Sequence, residues 1–174
     1  VSSDIKKVIE NADLIIIGIP VAAYENIFKN IQNFVKPGAI ITDVGSVKRE
    51  VIITSRKFIP KDVKFIPGHP IAGTENSGPE SGLSGLFIKG WCILTPNKDT
   101  DKKAIKIVKN MWETVGMKVD IMSSKHHDDV LAITSHIPHI IAYSIVGTVA
   151  NLENTIKKEV IKYAASGFRD FTRI

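Results

Sequence analysis

His69 stands between Gly68 and Pro70, at the head of a stretch, 67–90, that holds six of the chain's 12 glycines. A histidine titrates near neutrality, so it can take a proton from a hydroxyl as hydride leaves the same carbon. A purely structural histidine is the alternative. Ser46 closes the run Asp43-Val44-Gly45-Ser46. Its hydroxyl suits either the rim of a site or the N-cap of a helix over 47–57, and the two roles are compatible. Asp128, Ser135 and His139 recur at i, i+7 and i+11, the spacing of one helix face. A polar stripe on a helix rich in Ile, Val and Ala must find partners, and a ligand is one kind; a satisfied core histidine is another. Pro138 removes a backbone bond to Thr134 and predicts a bend beside His139. His136 and His139 with Asp128 also suggest metal ligands, but one intrahelical pair without a compact third ligand is weak, so no metal is expected. Asp170 and Arg173 are three apart: a solvated ion pair, or an arginine fork held for a carboxylate.

These groups need a scaffold. Residues 13–19 form an apolar run that predicts a strand buried on both faces. Pro20 opens a helix to about Phe34, and Pro37-Gly38 makes a turn. A strand at 39–44, a helix at 47–57 and a strand at 63–66 follow. Then come the glycine-rich stretch, which reads as a long functional loop, and a strand at 91–95. In the helix predicted over 101–115, Ala104, Val108, Met111 and Trp112 recur at helical spacing, and Gly116 stops it. Residues 117–121 alternate, as a half-exposed edge strand does. From 124 to 151 the pattern is one long helix. The fold class is therefore α/β: an incomplete Rossmann-like parallel-sheet domain over 1–123, followed by an α-helical domain over 124–174. The helical part is too short to bury a core alone. Ligands of such sheets bind beyond the carboxyl ends of the strands. Pro20-Val21, Asp43 to Ser46 and Gly68 to Pro70 should line that crevice.

Composition narrows the partners. Over 174 residues, 44% are hydrophobic and 24% charged, a globular balance. The net charge of +5 is scattered with no basic block, which argues against nucleic acid and suits a small anionic substrate. A single cysteine, Cys92, fits a reducing cytosol, and no secretory signal is evident. No uninterrupted apolar run reaches the roughly 18 residues of a membrane span. The expectation is a cytoplasmic protein without membrane contact. No two glycines lie two positions apart, so the phosphate-binding fingerprint of dinucleotide folds is not in this chain.

Six ordered segments carry a resemblance: DVGSVK (43–48), GHPIAGTENSGPE (68–80), LF (86–87) with ILTP (93–96), HDDVLAITSHIPHIIA (127–142) and SGFRDFTRI (166–174). Together they resemble the prephenate dehydrogenase family. The resemblance implies NAD- or NADP-dependent oxidation, NAD being favoured, of prephenate to 4-hydroxyphenylpyruvate with loss of carbon dioxide, on the route to tyrosine. It implies His69 as proton acceptor for the ring hydroxyl, with Ser46 beside it. Substrate binding would fall to His139, Arg173, Ser135, Thr74 and Asp170, and cofactor contact to Ile19, Pro20, Val21, Asp43, Gly45 and Ser46. It also implies a homodimer. Against the family pattern, the first glycine-rich strand–turn–helix and the closing helices are missing, so the chain corresponds to the middle of the enzyme. Arogenate or cyclohexadienyl dehydrogenase is the alternative substrate reading. A catalytically incomplete folding or pairing module is the alternative of another class.

Overall fold

In the computed structural model, which describes residues 2–73 and 78–172, the chain divides into two compact units. The first ends at Asp128 and the second begins at Asp129.

The first unit is built on two three-stranded sheets. Strands β1 (Leu14–Ile17), β2 (Ile40–Asp43) and β3 (Lys64–Ile66) pair in parallel in that order. Strand β4 (Gly68–Ile71) pairs antiparallel with β5 (Trp91–Leu94), which pairs parallel with β6 (Lys118–Ile121). Helices cover two faces. On one, α1 (Ile5–Ile9), α2 (Tyr24–Ile31) and α3 (Arg49–Phe58) give Ile9, Tyr24, Phe28, Ile31 and Val51 to a cluster with Ile17 and Ile41. On the other, α4 (Lys102–Thr114) presses Ala104, Val108 and Trp112 against Ile66, Cys92 and Leu94. The buried positions of α2 and α4 follow the helical repeat that the sequence displays. Asp101 caps α4 through Lys103 N at 2.9 Å, and Gly116 (φ +94°) supplies the left-handed backbone beyond its end.

Three expectations change. β1 is an edge strand and Ile16 is 50% exposed, so this run is not buried on both faces. The helix after Pro20 is shorter, with a 3-10 turn at Val21–Ala23 leading into α2. The glycine-rich stretch does not begin as a loop, because Gly68 to Ile71 form β4. Its antiparallel edge position explains how Pro70, which has no N–H to donate, sits inside a strand.

The unit boundary lies within α5 (Ser124–Leu131), and the second unit continues through α6 (Ile137–Ala150), α7 (Asn154–Tyr163) and α8 (Ser166–Thr172). Both α7 and α8 pack on α6. Between α5 and α6 lies a π-turn, Ala132–His136, immediately before Ile137-Pro138. A proline cannot donate to the preceding turn, and a π-turn is one way a helix absorbs that loss. The long helix expected over 124–151 therefore runs from Ser124 to Ala150 with a π-turn inside it, and the straight periodicity that put Asp128, Ser135 and His139 on one face does not run through that turn. By length and composition, Ser124–Ala150 could still cross a membrane: its mean hydropathy reaches 1.5, with 11% of that window buried. It meets that measure without an unbroken apolar run, because Ile, Val and Ala recur on most of its sides.

Candidate active site

The carboxyl ends of β1 and β2 and the start of β4 open onto a cleft of about 430 Å³. Ile19, Pro20 and Val21 follow β1; Gly45 and Ser46 follow β2; His69 lies on β4; and Leu86 and Phe87 come from the glycine-rich stretch. The sheet geometry thus brings together five of the six expected cofactor contacts with both expected catalytic groups, Ser46 being in both sets. A second hollow of about 370 Å³, beside Arg56, Lys61 and Asn97, contains no histidine or cysteine.

Asp43, the remaining expected contact, does not line the cleft. Its side chain is fully buried at the end of β2. Oδ2 accepts from Lys48 Nζ (2.5 Å), Gly45 N (2.9 Å) and Tyr24 OH (3.1 Å), and Oδ1 accepts from Gly68 N (3.1 Å). Lys48, also fully buried, donates to Gly68 O at 2.6 Å as well. The Asp43–Lys48 pair therefore clamps β2 to the residue before His69. Burial pushes the Lys48 pKa down, against the Asp43 charge, which pushes it up. Burial and then the Asp43 charge raise the Tyr24 hydroxyl far above its ordinary range. Gly45 is required here, because a Cβ would lie 2.9 Å from Asp43 Oδ2 and 3.0 Å from Tyr24 OH. Cys92, on the neighbouring β5, is buried and its thiol is raised to about 12, so it is no nucleophile at neutral pH.

Behind His69 runs a chain of hydrogen bonds. His69 Nδ1 lies 2.9 Å from His127 Nε2, and His127 Nδ1 lies 2.7 Å from Asp128 Oδ1. The two imidazoles meet edge to face, 5.1 Å between centroids. Asp128 in turn accepts from Lys48 N (2.8 Å) and Arg49 N (3.0 Å). These are orphan donors of the first turn of α3, so the cap of that helix is a carboxylate about 80 residues away in sequence. Ser46 is not the N-cap: α3 starts at Arg49, and Ser46 is exposed on the cleft wall. Burial would raise the Asp128 carboxyl, but the bonds from Arg49 N, His127 and Lys48 N outweigh it and hold its pKa below the usual range. Burial pushes His127 below the usual histidine range, despite the Asp128 hydrogen bond and charge.

Sequence reasoning placed Asp128 with the helical polar stripe and assigned His127 and Lys48 no role. The only signals were local: both flank residues already singled out, Lys48 two after Ser46 and His127 one before Asp128. Ser135 lies in the π-turn, His139 in the first turn of α6 with its ring 6.3 Å from Tyr143, and Asp170 on the exposed side of α8. All three belong to the second unit. Thr74 and Arg173 lie outside the described residues. Among the described residues no three His, Cys, Asp or Glu side chains converge as a metal site would require.

An open sheet with helices on both faces and a cleft at the strand ends is the architecture of a nucleotide-binding domain. Residues 1–121 match the family description "Prephenate dehydrogenase, nucleotide-binding domain", and residues 123–174 match "Prephenate dehydrogenase, dimerization domain". The chain belongs to the prephenate dehydrogenase family. Cyclohexadienyl dehydrogenase of Zymomonas mobilis is 40% identical over 174 residues, covering 100% of this chain and 59% of the relative. The structure of Aquifex aeolicus prephenate dehydrogenase in complex with hydroxyphenyl propionate and NAD+ aligns with TM-score 0.88 and 39% identity. That alignment covers 99% of this chain and 59% of the other. Synechocystis arogenate dehydrogenase aligns with TM-score 0.78 and 28% identity, covering 97% and 60%. The chain thus spans about 60% of the length of these relatives.

Proposed function

We propose that this chain supplies the nucleotide-binding and proton-accepting core of an NAD-dependent prephenate dehydrogenase, which converts prephenate to 4-hydroxyphenylpyruvate and carbon dioxide. The observation that carries this reading is the cleft shared by Ser46, His69 and the ends of β1 and β2. Its walls suit a nicotinamide, because Ile19, Val21 and Phe87 offer it apolar surface. When bound there, the nicotinamide supplies the acceptor for hydride. His69 accepts the proton of the ring hydroxyl as the carbinol hydrogen leaves with its electron pair, and Ser46 orients that hydroxyl. The ring carboxylate departs as carbon dioxide, its bonding pair completes the aromatic ring, and the proton returns to the product oxygen. Aromatisation provides the driving force, so positioning and one well-placed base suffice.

His139, Ser135, Thr74, Asp170 and Arg173 take substrate-holding roles in this reading, by family resemblance. Arg173 is assigned to a carboxylate, for which its planar fork is suited. NAD is favoured over NADP because a solved relative was prepared with NAD+. A cytoplasmic homodimer fits the match to the dimerization domain, the reduced Cys92 and the exposed Ile133, Ile137, Ile140 and Val146 of the long helix. A partner copy is one way to cover that surface.

The test is an assay of the gene product containing this chain with NAD and either prephenate or arogenate. NADH and 4-hydroxyphenylpyruvate are expected from prephenate. A rate with arogenate alone would transfer the reading to arogenate dehydrogenase, as the Synechocystis relative suggests. No rate with either would leave a folding or pairing module. Within the assay, Arg173→Ala should raise KM for prephenate much more than it lowers kcat, because a carboxylate anchor acts in ground and transition states alike. An unaltered KM would remove Arg173 from the substrate site.

A further inference from the structure

We propose that His127 and Asp128 fix the tautomer of His69, making them positioning residues for the proton acceptor. The proposal rests on the function just given, but its central claim is a protonation pattern that can be read without substrate or cofactor.

The pattern follows by elimination along the hydrogen-bond chain. Asp128 is held ionised by two backbone donors, Lys48 N and Arg49 N, and a carboxylate can only accept. His127 Nδ1, 2.7 Å from Asp128 Oδ1, must therefore carry a hydrogen. The His127 ring is wholly buried. Burial disfavours a second proton on it, and the Lys48 ammonium nearby works in the same direction. His127 is then neutral with its lone pair on Nε2, and that nitrogen faces His69 Nδ1 at 2.9 Å. Two lone pairs cannot share that distance, so His69 Nδ1 holds the hydrogen. Neutral His69 is left with its lone pair on Nε2, the tautomer able to take a proton with that nitrogen. The bond made by one ring nitrogen thus sets the state of the other.

The arrangement also explains why Asp128 is tied to α3. The same helix start that carries Lys48, and through it the clamp on Gly68, anchors the carboxylate. The strand end bearing His69 and the residues orienting its ring are therefore fixed to one helix terminus. This costs His69 little freedom at the moment of reaction.

The experiment is two-bond 1H–15N correlation spectroscopy of the histidine-labelled chain, without ligands, at a pH where its histidines are neutral. In the wild type, His69 Nδ1 should resonate as a protonated nitrogen and Nε2 as an unprotonated one. His127→Phe removes the acceptor, and the His69 signals should move toward the Nε2–H tautomer. His127→Gln restores a carbonyl acceptor near the lost nitrogen and should return them. A wild-type His69 bearing its hydrogen on Nε2 would overturn the proposal, as would an unchanged pattern in His127→Phe. If His127→Phe does not fold, the wild-type and His127→Gln spectra decide, and loss of the Nδ1–H form in His127→Gln counts against the proposal. In the active enzyme, His127→Phe should lower kcat roughly 10- to 100-fold, part of a general-base contribution of about 10²–10⁴, with KM little changed. His127→Gln should recover part of that loss. Because the spectra need no turnover, failure of the prephenate assay and failure of the tautomer assignment are separately visible.

Discussion

His69→Asn is expected to lower kcat for prephenate by roughly 10²–10⁴-fold, while KM stays within about threefold of the wild type. An asparagine amide reaches about as far as Nδ1 and can donate to His127 Nε2, now 2.9 Å from that nitrogen, so the cleft wall should keep its shape. What it lacks is a basic atom at the position of Nε2. A residue needed only when the proton moves affects kcat and kcat/KM together and leaves ground-state binding alone. The loss corresponds to about 3–5 kcal/mol of transition-state stabilisation. Steady-state kinetics of the variant, with its fold checked by circular dichroism, give the answer. Unchanged turnover would take His69 out of the chemistry and leave Ser46 as the only expected catalytic group on the cleft. A large rise in KM with normal kcat would instead make His69 a binding residue.

The sheet and its crevice were legible because they depend on local signals. Short apolar runs punctuated by Pro20, Pro37-Gly38 and Pro60 announce alternating strands and helices, and strand ends then fall where ligands bind. Helix α4 was plain because its apolar repeat, capping Asp101 and terminal Gly116 agree with one another. Strand β4 was hidden because Gly68 and Pro70 are both poor strand formers, and only pairing with β5 reveals why they are tolerated. The candidate site was legible where a residue type suggests its own chemistry, as at His69, which the structure places on the cleft. It was not legible where a contact is made with a partner distant in sequence. Asp128 serves residues 79 and 80 positions before it, and His127 meets a histidine 58 positions away. No periodicity encodes such contacts. Ser46 shows the converse: a good capping residue beside a helix start is not its cap, because a carboxylate from elsewhere already satisfies those donors.

Lys48→Met should destabilise the first unit by about 3–5 kcal/mol, the usual cost of leaving one member of a buried ion pair without the other. Methionine fills most of the lysine stem, so little of the loss would come from a cavity. The loss comes from Asp43. Its carboxylate keeps three neutral donors, Tyr24 OH, Gly45 N and Gly68 N, but loses the Lys48 ammonium bonded to it in a fully buried setting. Gly68 O loses a donor at the same time. Thermal unfolding followed by circular dichroism should show a fall in Tm of about 10–20 °C. Charge is the cause on this account, so removing the carboxylate as well should relieve it. The double variant Asp43→Asn/Lys48→Met should be more stable than Lys48→Met alone, with a coupling of at least about 1 kcal/mol between the two positions. A Tm within two or three degrees of wild type for Lys48→Met would mean that the pair does not hold β2 to β4. Additive losses in the double variant would assign the effect to packing instead. Either result would also weaken the link from α3 to the strand end that presents His69.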